Sequence, residues 1–367
     1  MLDKFRIVRK YKENPTSVAS ISDFTLLSDG KIEASDALID TNIGLYCLDL
    51  IERRAVFVHT DKQVNILHFP FVYMAQFDHA RYITTLPLDE VNKLSAFSPY
   101  KNLIFIFTTG SSGSTLLKSI YGQCDAIVSV SEPDFISQLV LMRGLYTDEE
   151  IVHLIKQCMS LVYISDNNFA DHLVVKFRGY CIELADLVIS AFPLSTILFS
   201  YRSAIPQIES TLSMYNAMAI TWDKLKADLS EMGISQVRKM IHLLSEIPQS
   251  FAEFAAISWA SNIETYLHIL TKHPKVYAVS YKALIENAEL ITAELFQLIG
   301  KPIYNLDTMV DAAFSQDSRQ GTIFAKSSTH GQNRYSLSRE EIERIIEVLE
   351  KGRTADFLNT GLPNDLI

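Results

Sequence analysis

Hydrophobic positions follow two regimes along the chain. From residue 1 to about 97, short β-like runs such as Ala55–His59 and Val64–Phe71 are broken by polar turns. Phe57, His68, Phe71 and Tyr73 mix there with charged residues in no helical period. This predicts a small N-terminal α+β or mostly β leader domain over residues 1–97.

From Lys101 the pattern changes. Leu103–Phe107 is an unbroken apolar and aromatic run, as expected of a strand buried on both faces. Further strands are predicted at Ala126–Val130, His172–Phe177, Ser195–Tyr201 and Val276–Ser280. Between them lie helical stretches at Leu116–Tyr121, Asp148–Leu161 and Glu183–Phe192, one running through Ser210 and Tyr215, and a block over about Trp222–Lys272. Asn287–Ile299 reads as a helix stopped by Gly300. Ser338 and Glu341 form a capping box ahead of the stripe Ile342, Ile345, Ile346 and Leu349. Strands alternating with helices predict an α/β domain over residues 98–367, with a P-loop-type parallel sheet of about five strands flanked by helices.

Composition narrows the classes of function. The chain of 367 residues is 48% hydrophobic and 21% charged, as in ordinary globular proteins. Its formal net charge of −10 argues against a broad basic surface for nucleic acid, so an anionic ligand needs local donors. Cys47, Cys124, Cys158 and Cys181 form no CxxC pair and suggest neither a metal site nor a disulfide framework. The N-terminus lacks the apolar core of a secretory signal, and the apolar stretch Leu184–Tyr201 is interrupted by Asp186 and Pro193. A cytoplasmic protein without a membrane span is the expectation; the oligomeric state stays open.

The strongest local signal is FIFTTGSSGSTLL, Phe105–Leu117: a buried strand, a loop of small residues, then a helix. Gly110 and Gly113 let the backbone curl so that N–H groups converge, and Ser111, Ser112, Ser114 and Thr115 add hydroxyls. With the free N–H groups of the new helix, these make a phosphate seat. No lysine precedes Ser114–Thr115, which disfavours a standard kinase or triphosphatase.

This loop resembles the 5′-phosphosulfate loop of sulfotransferases that use 3′-phosphoadenylyl sulfate (PAPS). That family reads PKSGTTWL or SRSGSTLL where this chain has GSSGSTLL, Gly110–Leu117. The family also places an Arg after the fourth strand and a Ser eight residues later, both on the 3′-phosphate. LFSYRSAIPQIES supplies Arg202 and Ser210 at that spacing. Ser280–Gly300 and Gly331–Ile345 are similar to the family's later segments, the first as a structural strand–helix unit. In the second region Lys326, His330 and Arg334 are candidates to close over the nucleotide. The resemblance spans roughly Lys101 to Arg353.

It implies an enzyme that moves a sulfuryl group from PAPS to a hydroxyl or amine of a small molecule or carbohydrate, leaving 3′-phosphoadenosine 5′-phosphate (PAP), with no metal. The chain departs from the family at Ser111, where many members carry Lys or Arg. Lys176, near a strand's carboxyl end, is the proposed substitute cation, with Arg178 second. Glu132, in the SEP segment after the second strand, is the expected base. Asp134 is expected to be a helix-start charge, and His172 structural. A non-catalytic nucleotide-binding scaffold and a P-loop phosphotransferase are the alternatives.

Overall fold

The apolar run predicted at Leu103–Phe107 is a strand, Asn102–Thr108, whose last five residues are all buried. It belongs to a computed structural model that describes all residues except 13, 35, 37–42, 62, 92–101, 160, 163–169, 171, 224–247, 302, 304, 316–333 and 367. The described strands are β1 (Leu2–Lys10), β2 (Phe24–Ile32), β3 (Ile43–Asp49), β4 (Arg54–Thr60), β5 (Ala80–Pro87), β6 (Asn102–Thr108), β7 (Ile127–Ser131), β8 (His172–Lys176), β9 (Thr196–Tyr201) and β10 (Val276–Ser280). The helices are α1 (Val72–His79), α2 (Ser114–Tyr121), α3 (Asp134–Met142), α4 (Asp148–Met159), α5 (Ala185–Ala191), α6 (Ala204–Ala217), α7 (Phe251–Leu270), α8 (Tyr281–Glu286), α9 (Ala288–Leu298), α10 (Leu306–Ser315) and α11 (Arg339–Lys351).

The fold is α/β. An antiparallel sheet runs β2-β1-β5-β4-β3 and a parallel sheet runs β10-β9-β6-β8-β7, each of five strands. The chain divides into two units. One holds Met1–Leu103, Cys124–Lys176 and Leu187–Leu194; the other holds Ile104–Gln123, Phe177–Asp186 and Ser195–Ile367.

In the first unit, β3 and β4 are buried almost throughout. Tyr46, Cys47, Val56, Val58 and Ile83 form a core with Phe24. The edge strand β2 is mostly exposed and carries charge. Its Asp29 pairs with Lys4 at 3.1 Å, and Gly30 sits at φ +86°. Helix α3 is tied to this sheet by the Gln138 amide, which accepts from Leu48 N–H at 2.7 Å and donates to Leu48 O at 3.0 Å. The Asp134 carboxylate at its first turn accepts from Ala19 N–H at 2.7 Å. Asp134 is therefore a helix-start charge, as expected, and its position is set by the backbone of residue 19. His172 opens β8 and is buried.

One expected strand is absent from this unit. Val64–Phe71 reads as β but forms a 3-10 turn, Ile66–His68, leading into α1. The Asn65 side chain accepts from Leu67 N–H at 3.1 Å and turns the chain, and Pro70 follows with no N–H for a ladder.

In the second unit, β10, β9 and β6 pair in parallel, with Ser280 opposite Tyr201 and Thr108 opposite Ser200. Helix α7 buries Trp259 and Tyr266, and the Tyr266 ring stacks on Phe199 at 4.7 Å. Past α11, residues 364–366 lie along β10. Ala278 N–H donates to Asn364 O at 2.9 Å, and Leu366 N–H donates to Ala278 O at 3.0 Å. The Ser338–Glu341 capping box is present, and Gly300 ends α9's region at φ +68°. Of the helical block over 222–272, Phe251–Leu270 is the long described helix, while 224–247 lies outside the described residues. The helix expected at Glu183–Phe192 is α5, preceded by a 3-10 turn at Gly179–Leu184. No helix among the described residues is long and apolar enough to cross a membrane.

Cys47, Cys158 and Cys181 are buried and Cys124 is half-buried. Burial pushes the Cys158 thiol up to about 12 and the Cys47 thiol well above its ordinary value. Alkylation of the native chain at mild pH should therefore modify Cys124 at least about tenfold faster than Cys158, because the thiolate is the reactive form. Peptide mass spectrometry over a time course checks this; equal rates would contradict the burial.

Candidate functional site

The loop after β6 is shaped by two glycines and a chain of hydroxyls. Gly110 and Gly113 lie at φ +83° and +84°, and Ser111 joins them in the left-handed region at +48°. That conformation costs a non-glycine residue about 1–2 kcal/mol, so the surroundings must hold Ser111 there. Gly110 N–H donates to Thr108 Oγ1 at 3.0 Å, and Thr109 N–H donates to Ser200 O at 3.1 Å. Ser112 is fully buried. Its hydroxyl lies 2.7 Å from Thr108 Oγ1 and donates to Ser200 O at 2.9 Å, while Ser200 Oγ donates back to Ser112 O at 2.7 Å. The Ser112 side chain and carbonyl thus fasten the loop to β9. From α6, the buried Gln207 donates to Thr109 O at 2.9 Å and to Thr211 Oγ1 at 3.2 Å. Gly179 also approaches closely: a Cβ there would meet Thr108 O at 3.3 Å.

Helix α2 begins at an N-cap, Gly113, that has no side chain to cap it. Helices α1, α3, α6 and α9 likewise start without a side-chain cap, whereas Ser250, Ser280 and Ser338 each accept a backbone N–H at the starts of α7, α8 and α11. The first N–H groups of any helix have no intrahelical partner. At α2 no side chain at the N-cap takes them, and the positive end of the helix dipole lies behind them.

Arg202 and the loop meet on one ring. The Arg202 guanidinium lies over Tyr281, 4.7 Å from the ring centroid. A Cβ on Gly113 would fall 2.8 Å from Tyr281 Cδ2. The Arg202 carbonyl accepts from Trp259 Nε1 at 2.9 Å, which anchors the residue to α7. Ser210 is half-buried on α6, about two helical turns beyond Arg202. Near it, Glu209 accepts from Leu337 N–H at 3.2 Å and Ser213 Oγ accepts from Tyr335 N–H at 3.0 Å, so residues 335–337 dock on this helix. Lys326 and His330 lie outside the described residues, and Arg334 is exposed. Tyr281 and Gln207 were not singled out by sequence; their role depends on which strand and helix pack beside the loop.

In the first unit, Glu132 and Lys176 are brought together. The Lys176 ammonium bonds the Glu132 carboxylate, with side chains only 5% and 10% exposed. Lys176 also sits 5.5 Å from the centroid of the Phe71 ring. Glu132 follows β7 and Lys176 ends β8, so each stands at the carboxyl end of a parallel strand, where ligands of such sheets gather. Glu132 N–H donates to Lys176 O at 2.6 Å, and Glu132 is held at φ +57°. A left-handed conformation at a glutamate is a strain that commonly marks functional positions. Arg178, the second candidate cation, is instead the N-cap residue of the 3-10 turn Gly179–Leu184 in the other unit.

No family model matches this chain, and no curated protein matches it in sequence. Solved structures resemble it in fold, at low sequence identity. The sulfotransferase STF9 from Mycobacterium avium is similar at 10% identity and a TM-score of 0.47, over 75% of this chain and 80% of that one. The sulfotransferase domain from the curacin biosynthetic pathway is similar at 16% identity and a TM-score of 0.43, over 72% of this chain and 99% of that one. Retinol dehydratase, solved with androsterone and the inactive cofactor PAP, is similar at 9% identity and a TM-score of 0.42, over 91% and 97%.

Proposed function

We propose that this chain is a sulfotransferase, which binds PAPS and moves its sulfuryl group to a hydroxyl or amine of a small molecule or carbohydrate, releasing PAP. The observation that carries the reading is the meeting of Gly113 and Arg202 on the Tyr281 ring, beside an uncapped helix start. A guanidinium and an uncapped helix start that share one ring support a ligand with two anionic groups.

The residues present fit such a nucleotide. Gly110–Thr115 would hold the 5′-phosphate through backbone N–H groups and the Ser114 and Thr115 hydroxyls. Arg202 and Ser210 would hold the 3′-phosphate. When bound, the nucleotide supplies an activated sulfur whose bond to a 5′-phosphate oxygen can break. Glu132 would accept the proton of the acceptor hydroxyl or amine as that oxygen or nitrogen bonds to sulfur. The electron pair of the broken bond would leave with the phosphate oxygen of PAP; Ser111 brings no cation to it, and Lys176 is the candidate substitute.

PAP should raise the melting temperature of the wild-type chain, since a ligand that binds only the folded form stabilises it. Arg202→Ala should weaken PAP by about thirtyfold, as expected on losing hydrogen bonds between charged groups. A shift with ATP and magnesium but none with PAP would favour the phosphotransferase. No shift with either at millimolar concentration would favour a scaffold without ligand.

A further inference from the structure

We propose that Asp365 is a positioning residue for the nucleotide site: its carboxylate joins the carboxyl ends of β9 and β10 and so fixes Arg202 over Tyr281. The inference rests on the nucleotide reading above. Two donors from neighbouring strands converge on this one side chain. The Tyr201 hydroxyl donates to the Asp365 carboxylate, and Ser280 N–H donates to Asp365 Oδ1 at 3.1 Å. Tyr201 and Ser280 are the last residues of β9 and β10 and stand opposite each other in register. The residue after each is a member of the stacked pair, Arg202 after Tyr201 and Tyr281 after Ser280.

The carboxylate is itself held. Residues 364–366 lie along β10 through both bonds of Ala278, and Leu362 N–H donates to the Tyr201 hydroxyl at 3.1 Å. The Tyr266 hydroxyl donates to Pro363 O at 2.5 Å. Gly361 lies close to both groups: a Cβ there would fall 3.4 Å from Asp365 Oδ2 and 3.6 Å from the Tyr201 hydroxyl. Ser280 meanwhile caps α8, accepting from Ala283 N–H at 2.9 Å, so its backbone is constrained from both sides. A carboxylate that accepts two hydrogen bonds from adjacent strand ends resists their sliding apart. Binding sites lose affinity when their supporting contacts loosen by about 1 Å.

The test is calorimetric titration of the full chain with PAP and, separately, with adenosine 5′-monophosphate, which lacks the 3′-phosphate. Asp365→Ala is expected to weaken PAP by about tenfold and adenosine 5′-monophosphate by less than about twofold, the loss being that of Arg202's contact. Asp365→Ala combined with Arg202→Ala should bind PAP no more weakly than Arg202→Ala alone, as residues acting as one unit do. Asp365→Asn and Tyr201→Phe, which keep side-chain size, should show smaller losses in the same ratio with unchanged circular dichroism, and they decide the matter if the alanine variant does not fold. Equal losses for both ligands, or additive losses in the double variant, would overturn the assignment. PAP binding that all three variants leave intact overturns it alone. A wild-type chain that binds no PAP removes the nucleotide reading, and this inference with it.

Discussion

Replacing Glu132 with Gln is expected to lower kcat by about a thousandfold, the usual contribution of a positioned proton acceptor, while PAP affinity stays within about twofold. The amide keeps the size of the carboxylate but cannot take a proton from an acceptor. The change also leaves Lys176 as a nearly buried ammonium whose carboxylate partner is gone. Such an orphaned charge costs about 3 kcal/mol or more, so the variant should also melt earlier. Two effects are therefore mixed in one substitution, and a second variant separates them. Combining Glu132→Gln with Lys176→Met removes the orphaned charge and should recover most of the melting temperature. Turnover should stay lost. Because Lys176 is itself placed in the proposed machinery, only the recovered melting temperature reports on the orphaned charge, and the turnover of Glu132→Gln alone reports on the base. Single-turnover assays with labelled PAPS and a panel of hydroxyl and amine acceptors provide the measurement. Full turnover in Glu132→Gln would leave the residue as a partner for Lys176 and nothing more.

Gly113→Ala should abolish nucleotide binding, while Gly110→Ala should only weaken it. The two glycines have nearly the same φ, so the cost of the left-handed backbone, about 1 kcal/mol or somewhat more, is common to both. Their surroundings differ. At Gly110 the nearest atom to a new Cβ is Gln207 Nε2 at 3.7 Å, an ordinary contact. At Gly113 the new atom meets Tyr281 Cδ2 at 2.8 Å and Leu284 Cδ2 at 3.1 Å. Leu284 is fully buried, so relief must come from the ring, the loop or both. Overpacking of this kind adds about 1–3 kcal/mol. Movement of the ring would carry Arg202 away from its position, and movement of the loop would close the N–H nest. Melting curves with and without PAP would show an apparent midpoint several degrees lower for Gly113→Ala and no ligand response. Equal behaviour of the two variants would mean that the Gly113–Tyr281 contact does not matter to the site.

The strand, loop and helix of the second unit's candidate site were legible in the chain because their signals are local. A buried strand, a run of small residues and a helix occur within Phe105–Leu117, and the structure has that order. Arg202 stands just ahead of the helix that carries Ser210, and the family resemblance is what singled the pair out. Glu132 and Lys176 could be placed at strand ends individually, but their ion pair could not, since it depends on β7 lying beside β8. Tyr281 and Asp365 left no local trace. Each acts through a partner brought close by sheet order, Arg202 for the first and Tyr201 for the second. The role of Ser112 was also hidden: a loop serine reads as a ligand hydroxyl, and only the neighbouring strand shows that its oxygen is occupied by Ser200. Val64–Phe71 misled for a related reason. Its apolar content suits a strand, but the Asn65 cap and Pro70 decide the backbone first.

The pairing of residues 364–366 with Ala278 has a bearing on how the chain behaves in crowded solution. The outer backbone groups of a sheet's last strand are a template on which another molecule can add a strand. Here the chain's own backbone already takes the N–H and C=O of Ala278. A version shortened at residue 361 would present those groups to any neighbour. Its loss would then be felt as self-association that grows with concentration, visible by light scattering before any change in secondary structure.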